Sequence, residues 1–275
     1  MTRHTRTIAR GRLLAATTAT AALLALAGCA PDAAPAPADS STSSASPVAT
    51  TDPAPFAALE DQYDASLGVY AIDTATGRTV EYNADDRFGF ASTIKALAVG
   101  AVLDTASDDD LAAPIPVESS DIVTYSPIIE KHVGGTVTLL EAADAAVRFS
   151  DNTAANLLVE YLGGPDALEQ LLRGAGDETT MVDRTEPTLN DVAPGDERDT
   201  STARALATSL ATYALGDTLD EEDRALLVDM LKNNTTGDAV IRAGAPDGWT
   251  IGDKTGSASY GTRNDIAIAW PPSGE

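Results

Sequence analysis

A single cysteine, Cys29, leaves no partner for a disulfide within the chain and no thiolate cluster for a metal. Histidine is almost as scarce. His4 and His132 are the only two, and His132 alone lies beyond the first 28 residues, which argues against the ligand set of a zinc hydrolase. Positive charge is short as well: 18 Lys and Arg face 42 Asp and Glu, for a net charge of −24. Four of those Arg sit in the first 28 residues, where there is no acid, so the rest of the chain holds 14 basic against 42 acidic residues. Such a surface repels phosphate backbones and anionic lipid headgroups, so no nucleic-acid partner is expected. No internal repeat is evident. What the chain does have is 43% hydrophobic residues over 275 positions, enough for one substantial core or two lobes.

The N-terminus reads as a targeting segment. Arg3, Arg6, Arg10 and Arg12 precede an apolar run from Leu13 to Leu26, followed by small residues. The ending Leu26-Ala-Gly-Cys29 resembles a lipoprotein signal, which implies cleavage after residue 28 and lipidation of Cys29. One acyl chain holds a protein to a bilayer only marginally, so stable anchoring would take more than one on Cys29. Residues 29–55 are nearly all Ala, Pro, Ser, Thr and Asp. They cannot bury enough apolar surface to offset their ordering entropy, and are expected to be a flexible tether. The expected location is the outer face of the cytoplasmic membrane.

From residue 56 the pattern becomes that of a folded domain. A helical period at 56–66 is followed by strand signals at 67–73 and 78–82, and the turn between the strands ends in Gly77, which predicts a hairpin. Helices are predicted near 91–105, 138–149, 153–162, 165–174, 202–215 and 221–232, with Gly163-Gly164-Pro165 as a stop and restart. Strand signals return at 249–255 and 263–270. The expected fold is α+β: an α/β lobe with an antiparallel sheet, from 56–90 and 233–275, around an all-α lobe at 91–232. A site is expected in the groove between them.

Within the helix predicted near 91–105 Ser92 and Lys95 share a face among Phe, Ile, Leu and Val. Alone, the pair reads as two groups reaching for water at a helix start. Ser150-Asp151-Asn152 alone is N-cap chemistry, Lys254-Thr255-Gly256 is strand-end punctuation, and the segment from Arg184 through Glu186-Pro187 to Asn190 is a surface loop. In this order and together they form the Ser-x-x-Lys, Ser-Asp-Asn and Lys-Thr-Gly set. From about Phe56 to Pro272 the chain resembles the class A serine β-lactamases. The likeness is nearly continuous from Tyr125-Ser126-Pro127 to Asp199-Thr200.

The resemblance implies a serine hydrolase that opens the amide bond of β-lactam antibiotics and so confers resistance, with no cofactor and as a monomer. Ser92 is then the nucleophile, inert until a base takes its proton, with Lys95 and Glu186 the two candidates for that base. Ser150 passes a proton to the lactam nitrogen. Asn152 binds the substrate's side-chain amide and orients Lys95, and the N–H groups of Ser92 and Ser257 form the oxyanion hole. Lys254, Thr255 and Arg263 are suited to the substrate carboxylate, and Gly256, Ser257 and Tyr125 are further substrate-binding residues. Glu186 and Asn190 hold the water that clears the acyl ester, and the pair Arg184–Asp199 closes the omega loop around them. The Glu186–Pro187 bond is expected to be cis. Two departures from the family's common pattern are Ala258, where glycine is usual, and Val240, where some relatives carry arginine. Relatives also continue past the position of Glu275 with a strand, central in their sheet, and a helix. The sequence is therefore expected to be partial or its product defective, with apolar edges at 69–72 and 266–269 left uncovered. The competing readings are a D-Ala-D-Ala peptidase, which lacks the omega-loop glutamate, and a penicillin-binding sensor that is acylated without turnover.

Overall fold

The computed structural model describes residues 51–274. The signal segment 1–28, Cys29 and the tether before Thr51 lie outside the described residues. Helix α1 (Ala54–Tyr63) starts two residues before the predicted period, because Pro53 and Pro55 set backbone angles suited to a first helical turn. The tether assigned to 29–55 therefore ends before Ala54. The hairpin β1 (Val69–Ile72) and β2 (Thr79–Tyr82) follows as predicted, turning at Gly77 with φ 71°. A short strand, β3 (Arg87–Gly89), leads into a 3₁₀ turn at Ala91–Thr93 and helix α2 (Ile94–Thr105).

Helix α2 is buried from Ile94 through Leu103. A helix apolar on every side has no face to give to water and belongs at the centre of a bundle. Around it lie α4 (Leu139–Arg148), α5 (Asn152–Leu162), α6 (Pro165–Gly174), α7 (Ala203–Ala214) and α8 (Glu221–Lys232), once α3 (Asp108–Ala112) has led the chain away. At Gly100 a side-chain carbon would lie 2.5 Å from the Tyr213 ring, so α7 packs directly on the α2 backbone there. The helix starts carry the expected chemistry: Thr138 and Glu141 form a capping box, and Asp151, Thr202 and Asp220 accept from the first-turn N–H groups of α5, α7 and α8. Gly163, with φ 101°, ends α5, and Pro165 opens α6.

The last elements are the short helix α9 (Ile241–Gly244) and two long strands, β7 (Thr250–Ser257) and β8 (Arg263–Trp270). They pair antiparallel from Thr250 opposite Trp270 to Ser257 opposite Arg263. The sequence reading ended a strand at Lys254-Thr255-Gly256; the ladder instead runs through this motif. Both β1 and β8 pack on α7, as separate two-stranded ladders. The segment 91–232, expected from sequence to be all helical, also carries short strands. β4 (Pro114–Pro116) pairs with β5 (Thr136–Thr138), and β6 (Thr200–Thr202) pairs with β3, tying the chain before Ser92 to the chain just after Asp199.

Candidate active site

The turn that presents Ser92 is bent at Ala91, which has φ 49°. This left-handed conformation costs a residue with a Cβ about 1–2 kcal/mol. The neighbours hold it. Phe90 is fully buried, its N–H donates to Asp199 O at 3.1 Å, and the Thr93 hydroxyl closes on Phe90 O at 2.6 Å. Ser92 emerges at the bottom of the groove, 9% exposed. Lys95, one turn on, is 1% exposed and is not a snorkelling amine. Its Nζ donates to Ser150 O at 2.8 Å and Asn152 Oδ1 at 2.5 Å, and pairs with Glu186 Oε1 at 3.0 Å. Burial pushes the Lys95 ammonium below the usual lysine range, against the pull of Glu186.

Glu186 arrives from the opposite side, on the loop 183–199. The Glu186–Pro187 bond is cis, as expected. Glu186 Oε1 lies 3.3 Å from Ser92 Oγ, within hydrogen-bond reach of that hydroxyl as well as of Lys95. Its Oε2 accepts directly from Asn190 Nδ2 at 2.5 Å, where the sequence reading had placed a water between the two residues. Asp199 closes the loop: Oδ2 meets Arg184 Nε at 2.5 Å, and Oδ1 accepts from the N–H groups of Asp183 and Arg184. Asp199 is itself fully buried, so this ion pair carries its own hydrogen bonds into the core.

The third wall joins the turn before α5 to β7. Ser150, with φ 56°, turns its hydroxyl towards Lys254, whose Nζ donates to Ser150 Oγ at 3.0 Å and to Thr255 O at 2.7 Å. Lys254 is fully buried; desolvation, and then the nearby charge of Lys95, push its ammonium well below the usual range. Asn152 uses its other end to donate to Thr124 O at 2.8 Å. Thr255 shares a 2.5 Å hydroxyl contact with Thr236, and Ser257 is exposed at the strand end. Gly256 lies against the turn that carries Ser92: a side-chain carbon there would be 2.9 Å from Phe90 O and 3.2 Å from Ser92 N. Arg263 is exposed opposite Ser257, with no acidic partner among the described residues. Tyr125 stands at the edge, 57% exposed, with φ 65°. Ala258 has φ −139°, an extended backbone open to any residue. The structure thus gathers the motif residues of the sequence reading around one groove. Tyr125 and Arg263 lie at its rim: Tyr125 O accepts from the Asn152 N–H at 2.9 Å, and Arg263 donates to the neighbouring Thr262 O at 3.0 Å.

Several supporting contacts were not foreseen. Asn156 clamps the backbone of Glu186, donating to its carbonyl at 2.8 Å and accepting from its N–H at 2.9 Å. Its place four residues after Asn152, hence on the same helix face, was the available signal. Asp151 caps α5 with one oxygen and accepts from the Ile128 and Ile129 N–H groups with the other. Arg242 of α9 donates to the carbonyls of Leu231 and Asn234 at the end of α8, and lies 2.5 Å from the buried Asp253.

Asp265, on β8 opposite Thr255, accepts from Ile241 N–H at 3.1 Å; burial, with the negative Asp253 close by, pushes its carboxyl up to about 7. An unfolded Asp releases its proton near pH 4. As pH rises from about 4 to about 7 the unfolded chain therefore ionises first and the native state loses stability, the loss being complete above that window. Asp265→Asn removes the loss. With water screening at this partly exposed group, it should stabilise the fold at pH 8 by about 1–2 kcal/mol. Thermal melts at pH 4 and pH 8 check this: the midpoint should rise clearly at pH 8 and little at pH 4, and an equal rise at both would exclude the titration.

Comparison with known proteins agrees with this geometry. A sequence profile described as the β-lactamase enzyme family matches residues 54–275. A β-lactamase of Bacillus licheniformis is 59% identical over 220 residues, covering 80% of this chain and 72% of its own. One from Amycolatopsis lactamdurans is 55% identical over 217 residues, covering 79% and 72%. Among solved structures, a halotolerant bacterial β-lactamase superposes with a TM-score of 0.80 at 57% identity, covering 80% of this chain and 85% of its own. The class A β-lactamase of Clostridium kluyveri gives 0.79 at 47% identity, covering 81% and 85%. With a family profile over most of its length and relatives of this identity, the chain belongs to the class A β-lactamases, hydrolases of the β-lactam amide bond.

Proposed function

We propose that this β-lactamase works through an ester on Ser92, formed and cleared with the help of Glu186. The observation that carries the reading is the position of Glu186 Oε1, 3.3 Å from Ser92 Oγ and 3.0 Å from Lys95 Nζ. Lys95 already faces three acceptors and so acts as a donor here, which leaves Glu186 as the acceptor facing the nucleophile. Ser92 Oγ attacks the lactam carbonyl carbon while its proton passes to Glu186. The oxyanion is held by the N–H groups of Ser92 and Ser257. As the C–N bond breaks, the nitrogen takes a proton from Ser150, whose hydroxyl is bonded to Lys254; the proton that Glu186 took from Ser92 then makes good the loss at Ser150, which leaves Glu186 ionised again. Lys254, Thr255, Ser257 and Arg263 hold the substrate carboxylate along β7 and β8, Gly256 keeps that strand close to the turn, and Asn152 takes the side-chain amide beside Tyr125. A water seated between Glu186 and Asn190, whose Oδ1 is buried without a protein partner, then attacks the ester. Glu186 takes the water's proton, and Ser92 leaves with one restored.

Hydrolysis of nitrocefin tests the turnover half of this reading. Many equivalents of product per enzyme are expected; a single equivalent would instead favour a penicillin-binding sensor. Arg184–Asp199 closes the loop that makes the difference. The chain acts as a monomer, exported by its Arg-rich, apolar leader at 1–28 and held by lipid on Cys29, with 29–53 as a tether that leaves the enzyme outside the cytoplasmic membrane. Cys29→Ser should move nitrocefin activity from the membrane pellet to the soluble fraction of a bacterial host. Activity that stays in the pellet would exclude the anchor.

A further inference from the structure

The oxyanion hole of the proposed mechanism takes its two N–H groups from different elements: Ser92 on the 3₁₀ turn and Ser257 on β7. Such donors act only when each lies about 2.7–3.1 Å from the developing oxyanion, so the gap between turn and strand must be held closely. Packing sets its lower limit, because Gly256 already lies against Phe90 O and Ser92 N. Packing of this kind does not set an upper limit. Ala91, strained at φ 49°, stands beside the gap and would relax if the turn were released.

One side chain bridges the two. Asn264 stands opposite Gly256 on β8, half-buried, on the strand face that meets the turn. Its Nδ2 donates to Gly89 O at 2.7 Å and to Phe90 O at 3.1 Å. Among the described residues these are the only hydrogen bonds between the β7–β8 hairpin and the segment 89–93. Phe90 O is also bonded by Thr93, but that bond lies within the turn and does not tie it to the hairpin.

We propose that Asn264 is a positioning residue for the oxyanion hole. It locks the hairpin to the turn bearing Ser92 and so fixes the spacing of the Ser92 and Ser257 N–H groups. This rests on the acyl-serine reading above. Asn264 touches no reacting atom; it acts through the two backbone donors. A displacement of about 1 Å in such a site can cost about 100-fold in rate, which sets the scale of its effect.

The test uses Asn264→Ala and Asn264→Asp in the otherwise unchanged enzyme. Three quantities are read: kcat/KM for benzylpenicillin, the inhibition constant of phenylboronic acid, and the thermal midpoint. Phenylboronic acid adds to the serine as a tetrahedral anion, so it depends on the same two donors. Asn264→Ala should lower kcat/KM and weaken the boronate in parallel, each by about 10- to 100-fold. Asn264→Asp keeps the side-chain volume but sets oxygen against the carbonyls of Gly89 and Phe90, and should be worse than alanine on both. A purely structural Asn264 would lower the midpoint while leaving both constants unchanged well below it, and that result overturns the proposal, as would an aspartate variant equal to the parent. Failure of the acyl-serine reading is separately visible as the absence of a covalent adduct on Ser92 when Glu186 is replaced.

Discussion

Glu186→Ala is expected to lower kcat for benzylpenicillin by about 100- to 10,000-fold, the range removed with a well-placed general base. The carboxylate meets Ser92 Oγ through one oxygen and Asn190 Nδ2 through the other, so its removal empties the position between them. Ester formation should slow less than ester hydrolysis, because Lys95 remains one turn from Ser92 and can accept the proton once Glu186 no longer pairs with it. The removal also leaves Lys95 buried without its counter-ion. Burial already favours the neutral amine, and losing the partner pushes further that way. Rapid mixing should show a burst of about one equivalent of product followed by a slow phase. A variant with normal steady-state turnover would remove Glu186 from the mechanism.

Ser92→Ala is expected to cost on the order of a million-fold in kcat, the scale found when a serine nucleophile is deleted from an otherwise intact site. Lys254, Thr255, Asn152 and Arg263 are untouched by the change, so substrate affinity should stay within a few-fold of the KM of the parent. The fold should also survive, since the loss of one hydroxyl at a 9% exposed position leaves no buried charge unpaired. Equilibrium binding of benzylpenicillin, with a rate assay sensitive to traces, separates the two effects. Hydrolysis within a few-fold of the parent would mean that another group attacks the ring.

The sequence was most legible where chemistry and local structure coincide. The helix starts predicted near 138, 153, 202 and 221 fall where Thr138 with Glu141, Asp151, Thr202 and Asp220 take up orphan N–H groups in the structure. The apolar run after Ser92 marked a central helix and made the buried Lys95 notable, and the fold then supplied its acceptors. The ladders at 87–89, 114–116, 136–138 and 200–202 were not read, since three residues are too few for an alternating pattern to show. Asn156 and Asn264 were missed for another reason. Their importance comes from the backbone atoms they bond, and a contact across 175 residues, such as Asn264 with Gly89, depends on register and packing that no local pattern records. The left-handed backbone at Ala91 and Ser150 was equally hidden, because neither residue favours it.

The central claim is that an ester forms on Ser92 and that Glu186 clears it. Mass spectrometry of Glu186→Ala mixed with benzylpenicillin tests this most directly, first on the intact protein and then on its peptides. The account predicts that the protein gains the mass of one whole penicillin molecule, that the addition persists for minutes or longer, and that it maps to Ser92. No adduct, or an adduct on any other residue, would contradict it.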